Sequence, residues 1–240
     1  MLALIDEMHT SVLHWVRATY RAEPPLIAQD ASPVRVMRMK MKALALRWQE
    51  RFDDAAPKIA EAYLKGSFKA TDSAMRAALK DAGWTIKFEM TPVVREAFEA
   101  SLAENVGLIR SIPEQYLQQV QGAVMRSYTR GRDLQSLVAS LKALYPAASN
   151  RAVLIARDQS NKANSVVTQA RQTELGITES IWMHSHAGKT PRPTHVAMNG
   201  KRYPVDRGMW DSAVQRFIFP GEEINCRCTS RSILPFQFSK

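Results

Sequence analysis

The sequence predicts an α+β fold, with a mainly helical N-terminal body and a small C-terminal β-rich module. Three observations carry that expectation. From Leu2 to about Leu175, apolar residues recur every three or four positions, the period of a helix face. After Gly176 that period disappears, and Pro191, Pro193, Pro204, Pro220 and Pro235 alternate with Gly188, Gly200, Gly208 and Gly221, the punctuation of short strands and turns. The 240 residues are 45% hydrophobic, enough for a buried core, which excludes a wholly disordered, collagen-like or disulfide-framework chain.

The elements follow in order. Leu4, Ile5, Met8, Val12, Trp15, Val16 and Tyr20 lay an apolar stripe along a first helix, Leu2 to Arg21. Glu23-Pro24-Pro25 stops it, because proline lacks an N–H and blocks continuation. A linker over 26–32 leads to a second helix from Pro33 to about Phe52. Its apolar face is Val34, Met37, Met41, Leu44, Ala45 and Trp48. One or two further helices are expected over 53–82, with Pro57 in a first turn and Gly83 at the end. Trp84 to Phe88 alternates and reads as a short strand or an extended link. Thr91-Pro92 caps the next helix, to about Ile109, and Ser111-Ile112-Pro113-Glu114 repeats that start signal. Gly131 breaks the pattern, and Asp133 caps a helix through about Leu144. Tyr145-Pro146 then separates it from a long polar helix, 147–175, closed by Gly176. The expected division is a basic helical extension (1–83), a helical body (84–176) and a compact end module (177–240).

Charge adds a partner class. There are 33 Lys and Arg against 23 Asp and Glu, a formal net charge of +10. That balance favours a polyanion such as nucleic acid, or an acidic protein surface. Arg35, Arg38, Lys40, Lys42 and Arg47 on the second helix are the candidate contacts, although their interleaving with the apolar stripe equally suits a solvated face beside a Met-rich core. Asp6 and Glu7 interrupt the start where a signal peptide needs an apolar run, and no stretch approaches a membrane span. The expectation is a soluble protein without a membrane partner.

The chemistry-bearing residues lie between Trp182 and Leu234. His184, His186, His195, Cys226 and Cys228 supply nitrogen and sulfur ligands of the kind that zinc takes in tetrahedral sites. The C-x-C spacing is not that of a zinc knuckle, and the histidine spacings match no zinc finger. Two readings therefore stay open: a structural zinc, or a metal-free core of thiols and a buried histidine. A metal-dependent hydrolase or nuclease built on the same cluster is the enzymatic alternative. Glu222-Glu223 beside Pro220-Gly221 reads as a turn rather than an acid/base pair. Arg192, between two prolines, is expected in an extended segment, reaching a phosphate, a carboxylate or a structural partner. Asn225 is expected to serve a turn, and Arg227 to face away from the two cysteines.

These residues also carry a family resemblance. A polar helix with Ala156-Arg157-Asp158-Gln159, Asn161-Lys162 and Arg171-Gln172 leads to Glu174-Leu175-Gly176-Ile177 and then Trp182. Arg192-Pro193-Thr194-His195, Met198-Asn199-Gly200 and Tyr203 follow, and Pro220-Gly221-Glu222 and Asn225-Cys226-Arg227-Cys228 close the series. This succession resembles the C-terminal module of the phage Mu protein F-like minor head proteins, also described as phage head-morphogenesis proteins. The resemblance covers about residues 150–235. It makes Trp182, Arg192, Pro193, His195, Gly200, Pro220, Gly221, Asn225, Cys226 and Cys228 the family-motif positions. It implies a non-enzymatic minor capsid protein, made in the bacterial cytoplasm and carried in the virion, inside the head or at the portal vertex. The implied partners are portal, capsid or scaffold proteins and packaged double-stranded DNA, bound without sequence preference.

Overall fold

A computed structural model describes residues 1–22, 33–130, 133–186 and 190–234. The proline stop at 23–25, the linker over 26–32, the Gly131 break, the turn at 187–189 and Pro235 lie outside the described residues. The architecture is the expected one: long helices first, then short strands. The helices are α1 (Leu2–Ala22), α2 (Pro33–Asp81), α3 (Pro92–Thr129), α4 (Leu134–Glu174) and the short α5 (Pro193–Met198). The strands are β1 (Glu179–Met183), β2 (Arg202–Pro204), β3 (Met209–Asp211), β4 (Arg216–Ile218) and β5 (Thr229–Ser232). By their contacts the residues form two units, 1–60 with 105–155, and 61–104 with 156–240.

The prolines expected to separate helices do not. Pro57, Pro113 and Pro146 lie inside α2, α3 and α4. An interior proline removes one backbone hydrogen bond and crowds the preceding turn, at a cost of about 3 kcal/mol. The apolar stripe runs through each position and outweighs that cost. Phe52, Ala56 and Ala60 are buried around Pro57, Ile109, Ile112 and Tyr116 around Pro113, and Leu141, Ala148 and Ala152 around Pro146.

The first unit is helical. Ile5, Met8, Val12 and Val16 of α1 are fully buried, as are Met37 and Phe52 of α2. Polar groups that the apolar faces enclose are paired. His9 Nδ1 meets Tyr116 Oη at 2.5 Å, the Trp48 indole donates to Ser11 at 3.2 Å, and the Tyr20 hydroxyl donates to Ser127 at 3.0 Å. Burial holds the His9 imidazole below its ordinary pKa, against an opposing pull from Asp6.

In the second unit, Leu64 and Phe68 of α2, Val94 of α3, and Ala163, Val167 and Ala170 of α4 form one apolar cluster. The small α4 residues let the aromatic ring of Phe68 settle edge-on to Phe98, with centroids 5.1 Å apart. Thr91 caps α3 through its hydroxyl to the Val94 amide, 3.4 Å away. Residues 84–88 form the extended link, outside any ladder, and Trp84, Ile86 and Phe88 pack on Leu79 and Ile177.

Helix α4 ends as its sequence requires. Gly176 takes φ of +67°, its amide donates to Thr173 O, and the Ile177 amide donates to Gln172 O at 2.9 Å. This closes the last carbonyls and turns the chain directly into β1. β1 is the centre of a three-stranded antiparallel sheet ordered β2-β1-β5, with Ser180 opposite Tyr203 and Ser232. β3 and β4 form a separate hairpin, with Met209 opposite Ile218. The module core is Trp182, Met198, Tyr203, Ile218, Cys226 and Cys228.

Gly221 is a close approach between the cysteine segment and α4. Its φ is +89°, and a Cβ there would sit 3.1 Å from Asn161 O of α4 and 3.3 Å from Cys228 O. A Cβ at Gly176 meets nothing within 4 Å. Gly176→Ala is therefore expected to cost about 1–2 kcal/mol from backbone conformation alone. Gly221→Ala adds crowding against two carbonyls and is expected to cost clearly more. Urea denaturation of the two variants, followed through the second unit, gives that order.

Candidate functional site

The C-terminal half of α4 builds the site. On one side it presents polar residues to the strand module, and each of them takes a defined backbone or hydroxyl partner. Asp158 Oδ1 accepts from the Asn225 amide at 2.7 Å. The Asn161 side-chain amide donates to Cys226 O at 3.0 Å. Gln172, almost fully buried, donates to the hydroxyls of Ser230 and Ser232, both at 2.9 Å. Arg171 is equally buried and holds Asp72 with two contacts of 2.9 and 3.1 Å, Glu174 at 2.9 Å and Glu89 O at 2.6 Å. Buried polar groups are tolerated only when paired in this way.

These bonds fix the segment from Gly221 to Ser232. Asn225 takes a left-handed φ of +61°, the turn role expected of it. The Glu222 and Glu223 carboxylates both meet Arg216, each at 2.5 Å, and a second Glu222 oxygen accepts from the Phe219 amide. They close a turn, in keeping with the sequence reading. Arg192 precedes α5 in an extended conformation, and its guanidinium donates to Ile224 O at 2.9 Å. Pro193 opens α5 at its first position, where a missing N–H costs nothing. Arg192 and α5 are thereby tied to the loop that carries the cysteines.

The consequence is a buried cluster. Cys226 Sγ lies 3.4 Å and Cys228 Sγ 3.8 Å from His195 Nδ1. The three ligand atoms lie within 4.8 Å of one another. The other ring nitrogen of His195 faces Asp211 Oδ2 at 3.2 Å, and Asp211 is fully buried. The Trp182 ring stands edge-on to His195 with centroids 5.3 Å apart. The Cys228 thiol pulls the Cys226 thiol below its ordinary pKa, and His195 adds to that effect against the opposing cost of burial. The same pairing pushes Cys228 up, and the Cys226 sulfur raises His195. The cluster thus favours one thiolate shared between a thiol and an imidazole.

Of the five residues singled out as metal ligands, the structure brings together His195, Cys226 and Cys228. His184 and His186 stand apart in a more exposed turn, where the His186 amide donates to His184 Nδ1 at 3.2 Å and the rings are 4.5 Å apart. Burial, then its neighbour His186, lowers the His184 pKa. His184 nevertheless lines a cavity of about 50 Å³ together with Thr190, Arg192, His195, Cys226 and Cys228. Gly200 follows α5 at φ of +78°, and its amide donates to Trp182 O. Pro220 is buried beside Gly221. Arg227, between the two cysteines in sequence, is half-buried. Arg35, Arg38, Lys40, Lys42 and Arg47 are all exposed on α2.

Asp211 escaped the sequence reading, because nothing in Gly208-Met209-Trp210-Asp211 marks it by spacing or motif. Its single local signal is the Asx turn after β3, in which Oδ1 accepts from the Ala213 amide at 2.8 Å. A larger cleft of about 920 Å³ lies among the end of α2, α4 and the β2-β1-β5 sheet, with Asn164, Gln169, Arg202 and Arg231 on its walls.

Residues 118–231 match the family model of the phage Mu protein F like proteins. The chain carries a phage Mu protein F-like region. That region contains all of α4, β1 to β4 and α5, with every residue of the His195–Cys226–Cys228 cluster and Asp211. A protein of Haemophilus influenzae, described as uncharacterized, is 37% identical over 144 residues, which is 60% of this chain. The chain spans 31% of that relative's length. No solved structure matches. No described helix is long and apolar enough to cross a membrane.

The seam between α4 and the cysteine loop is directly testable. Asp158→Ala leaves the Asn225 amide without its carboxylate and is expected to destabilise the second unit by about 1.5–3 kcal/mol. Asp158→Asn retains an acceptor and is expected to lose less. Chemical denaturation monitored by Trp fluorescence measures both.

Proposed function

We propose that this protein is a minor capsid or head-morphogenesis protein of a tailed phage, carried in the virion, which binds at the portal vertex during head assembly. The observation that carries the reading is the F-like region over residues 118–231, with its motif residues gathered into one structural unit. The role is a docking one. The rigid strand module is the partner-binding part, and the helical remainder tolerates packaged DNA. A formal charge of +10 and the exposed Arg35, Arg38, Lys40, Lys42 and Arg47 support non-specific contact with double-stranded DNA, by offsetting phosphate repulsion.

The β3–β4 hairpin supports a protein partner. Trp210 and Phe217 pair edge-on with centroids 5.3 Å apart, and both are largely exposed, at 49% and 40%. Arg207 stacks over Phe217 at 4.8 Å. Exposed aromatic residues flanked by arginine are the composition of interface hot spots.

The test is co-purification of the tagged chain from cells producing the phage structural proteins. The expected result is recovery with portal protein and with assembled heads on a density gradient. Trp210→Ala with Phe217→Ala is expected to lower portal recovery by about tenfold or more, the effect of removing a hot spot, with little change in thermal stability. Absence of the chain from both assembly intermediates and mature heads contradicts the reading.

A further inference from the structure

The His195–Cys226–Cys228 cluster is more specific than a packed core requires. Its three ligating atoms come from α5 and the loop before β5, and all three residues are at most 5% exposed. Behind it, His195 Nε2 faces Asp211 Oδ2 at 3.2 Å, so the imidazole is held from one side while Nδ1 points at the two sulfurs. Two buried thiols converging on one oriented ring nitrogen form a donor set that apolar packing does not need.

We propose that this cluster is a zinc site, in which His195 Nδ1 and the thiolates of Cys226 and Cys228 bind one Zn²⁺. Zinc–sulfur bonds of about 2.3 Å and zinc–nitrogen bonds of about 2.0–2.1 Å, set at tetrahedral angles, place nitrogen and sulfur about 3.6 Å apart. The observed separations of 3.4 and 3.8 Å bracket that value. The donor set of two thiolates and one imidazole suits zinc and excludes hard cations such as magnesium or calcium. Asp211, 3.2 Å from the opposite ring nitrogen, holds that nitrogen protonated and leaves Nδ1 free to ligate. The three ligands also line the small cavity that His184 and Thr190 border. Binding forms only coordination bonds and releases the thiol protons to solvent, with no change in oxidation state.

The order Cys226, His195, Asp211 also resembles the relay of a cysteine hydrolase. Two facts weigh against that use. The thiols are 3% and 5% exposed, and the adjoining cavity of about 50 Å³ holds an ion with one or two waters rather than an acyl group. A second thiol beside the first also adds nothing to a nucleophile but completes a metal site.

A zinc ion here ties α5 to the loop that α4 grips, so its loss loosens the module. The full chain is purified without chelator, exchanged into metal-free buffer, and examined by elemental analysis and native mass spectrometry. About one zinc per chain is expected, and a strong chelator is expected to lower the melting temperature. Cys226→Ser and Cys228→Ser are expected to retain less than about a tenth of that zinc. Asp211→Asn leaves all ligands and the fold in place, and is expected to weaken zinc affinity about 10- to 100-fold in competition with a colorimetric chelator. The proposal is overturned by a folded wild-type chain that takes up no zinc when zinc is supplied. Zinc uptake that survives Cys226→Ser unchanged overturns it equally, as does an intact mass showing a Cys226–Cys228 disulfide.

Discussion

The polar face of α4 is the constraint on which the rest of the second unit depends. A helix that met the strand module through apolar residues alone would leave the module free to slide, because apolar contact is non-directional. Asp158, Asn161 and Gln172 instead grip one amide, one carbonyl and two hydroxyls of the segment that carries the cysteines. Gly221, at a positive φ, lets that segment approach the α4 backbone closely, with Asn161 O 3.1 Å from where a Cβ would stand. Directional bonds of this kind set register, and register places both sulfurs against His195.

That placement explains why so many polar residues are buried in a small module. Five strands of three to five residues enclose little apolar area, too little for a self-sufficient core. The module borrows stability from α4 and concentrates its own contacts around Trp182, which is fully buried among His195, Tyr203 and the cysteines. Small cores commonly need a further tie such as a metal, the role the proposed zinc would play across α5 and the cysteine loop. The β3–β4 hairpin contributes Ile218 and Asp211 to the buried side, while Trp210 and Phe217 alternate to the exposed side.

Much of this was legible in the residues. The change of period at Gly176 located the junction of helix and strand, because a glycine in the left-handed region both ends a helix and turns the chain. Thr91 and Asp133 marked helix starts through side-chain caps that the structure contains. The ordered motif series marked the cysteine loop and His195 as family-motif positions, and the ligand reading grouped them with His184 and His186. The prolines misled, since propensity at one residue is overridden when the buried stripe continues on both sides. The partition among the histidines was not legible either. His184, His186 and His195 carry the same chemistry in sequence, and only the turn at Asn199, whose side chain accepts from the His184 amide, sends the first two outward. Asp211 was invisible because its role is spatial, in a strand that the sequence places far from His195.

The proposed docking role rests on a strand module held rigid by its helical support. Its central physical claim is that α4 and the cysteine loop open only together. Native-state hydrogen exchange at the Asn225 amide tests this most directly, because that amide lies in an exposed turn and is protected solely by Asp158. Exchange at the free energy of unfolding of the whole second unit, matching the amides of β1, is the predicted result. Exchange at the rate of an open surface loop, orders of magnitude faster than β1, would contradict the account.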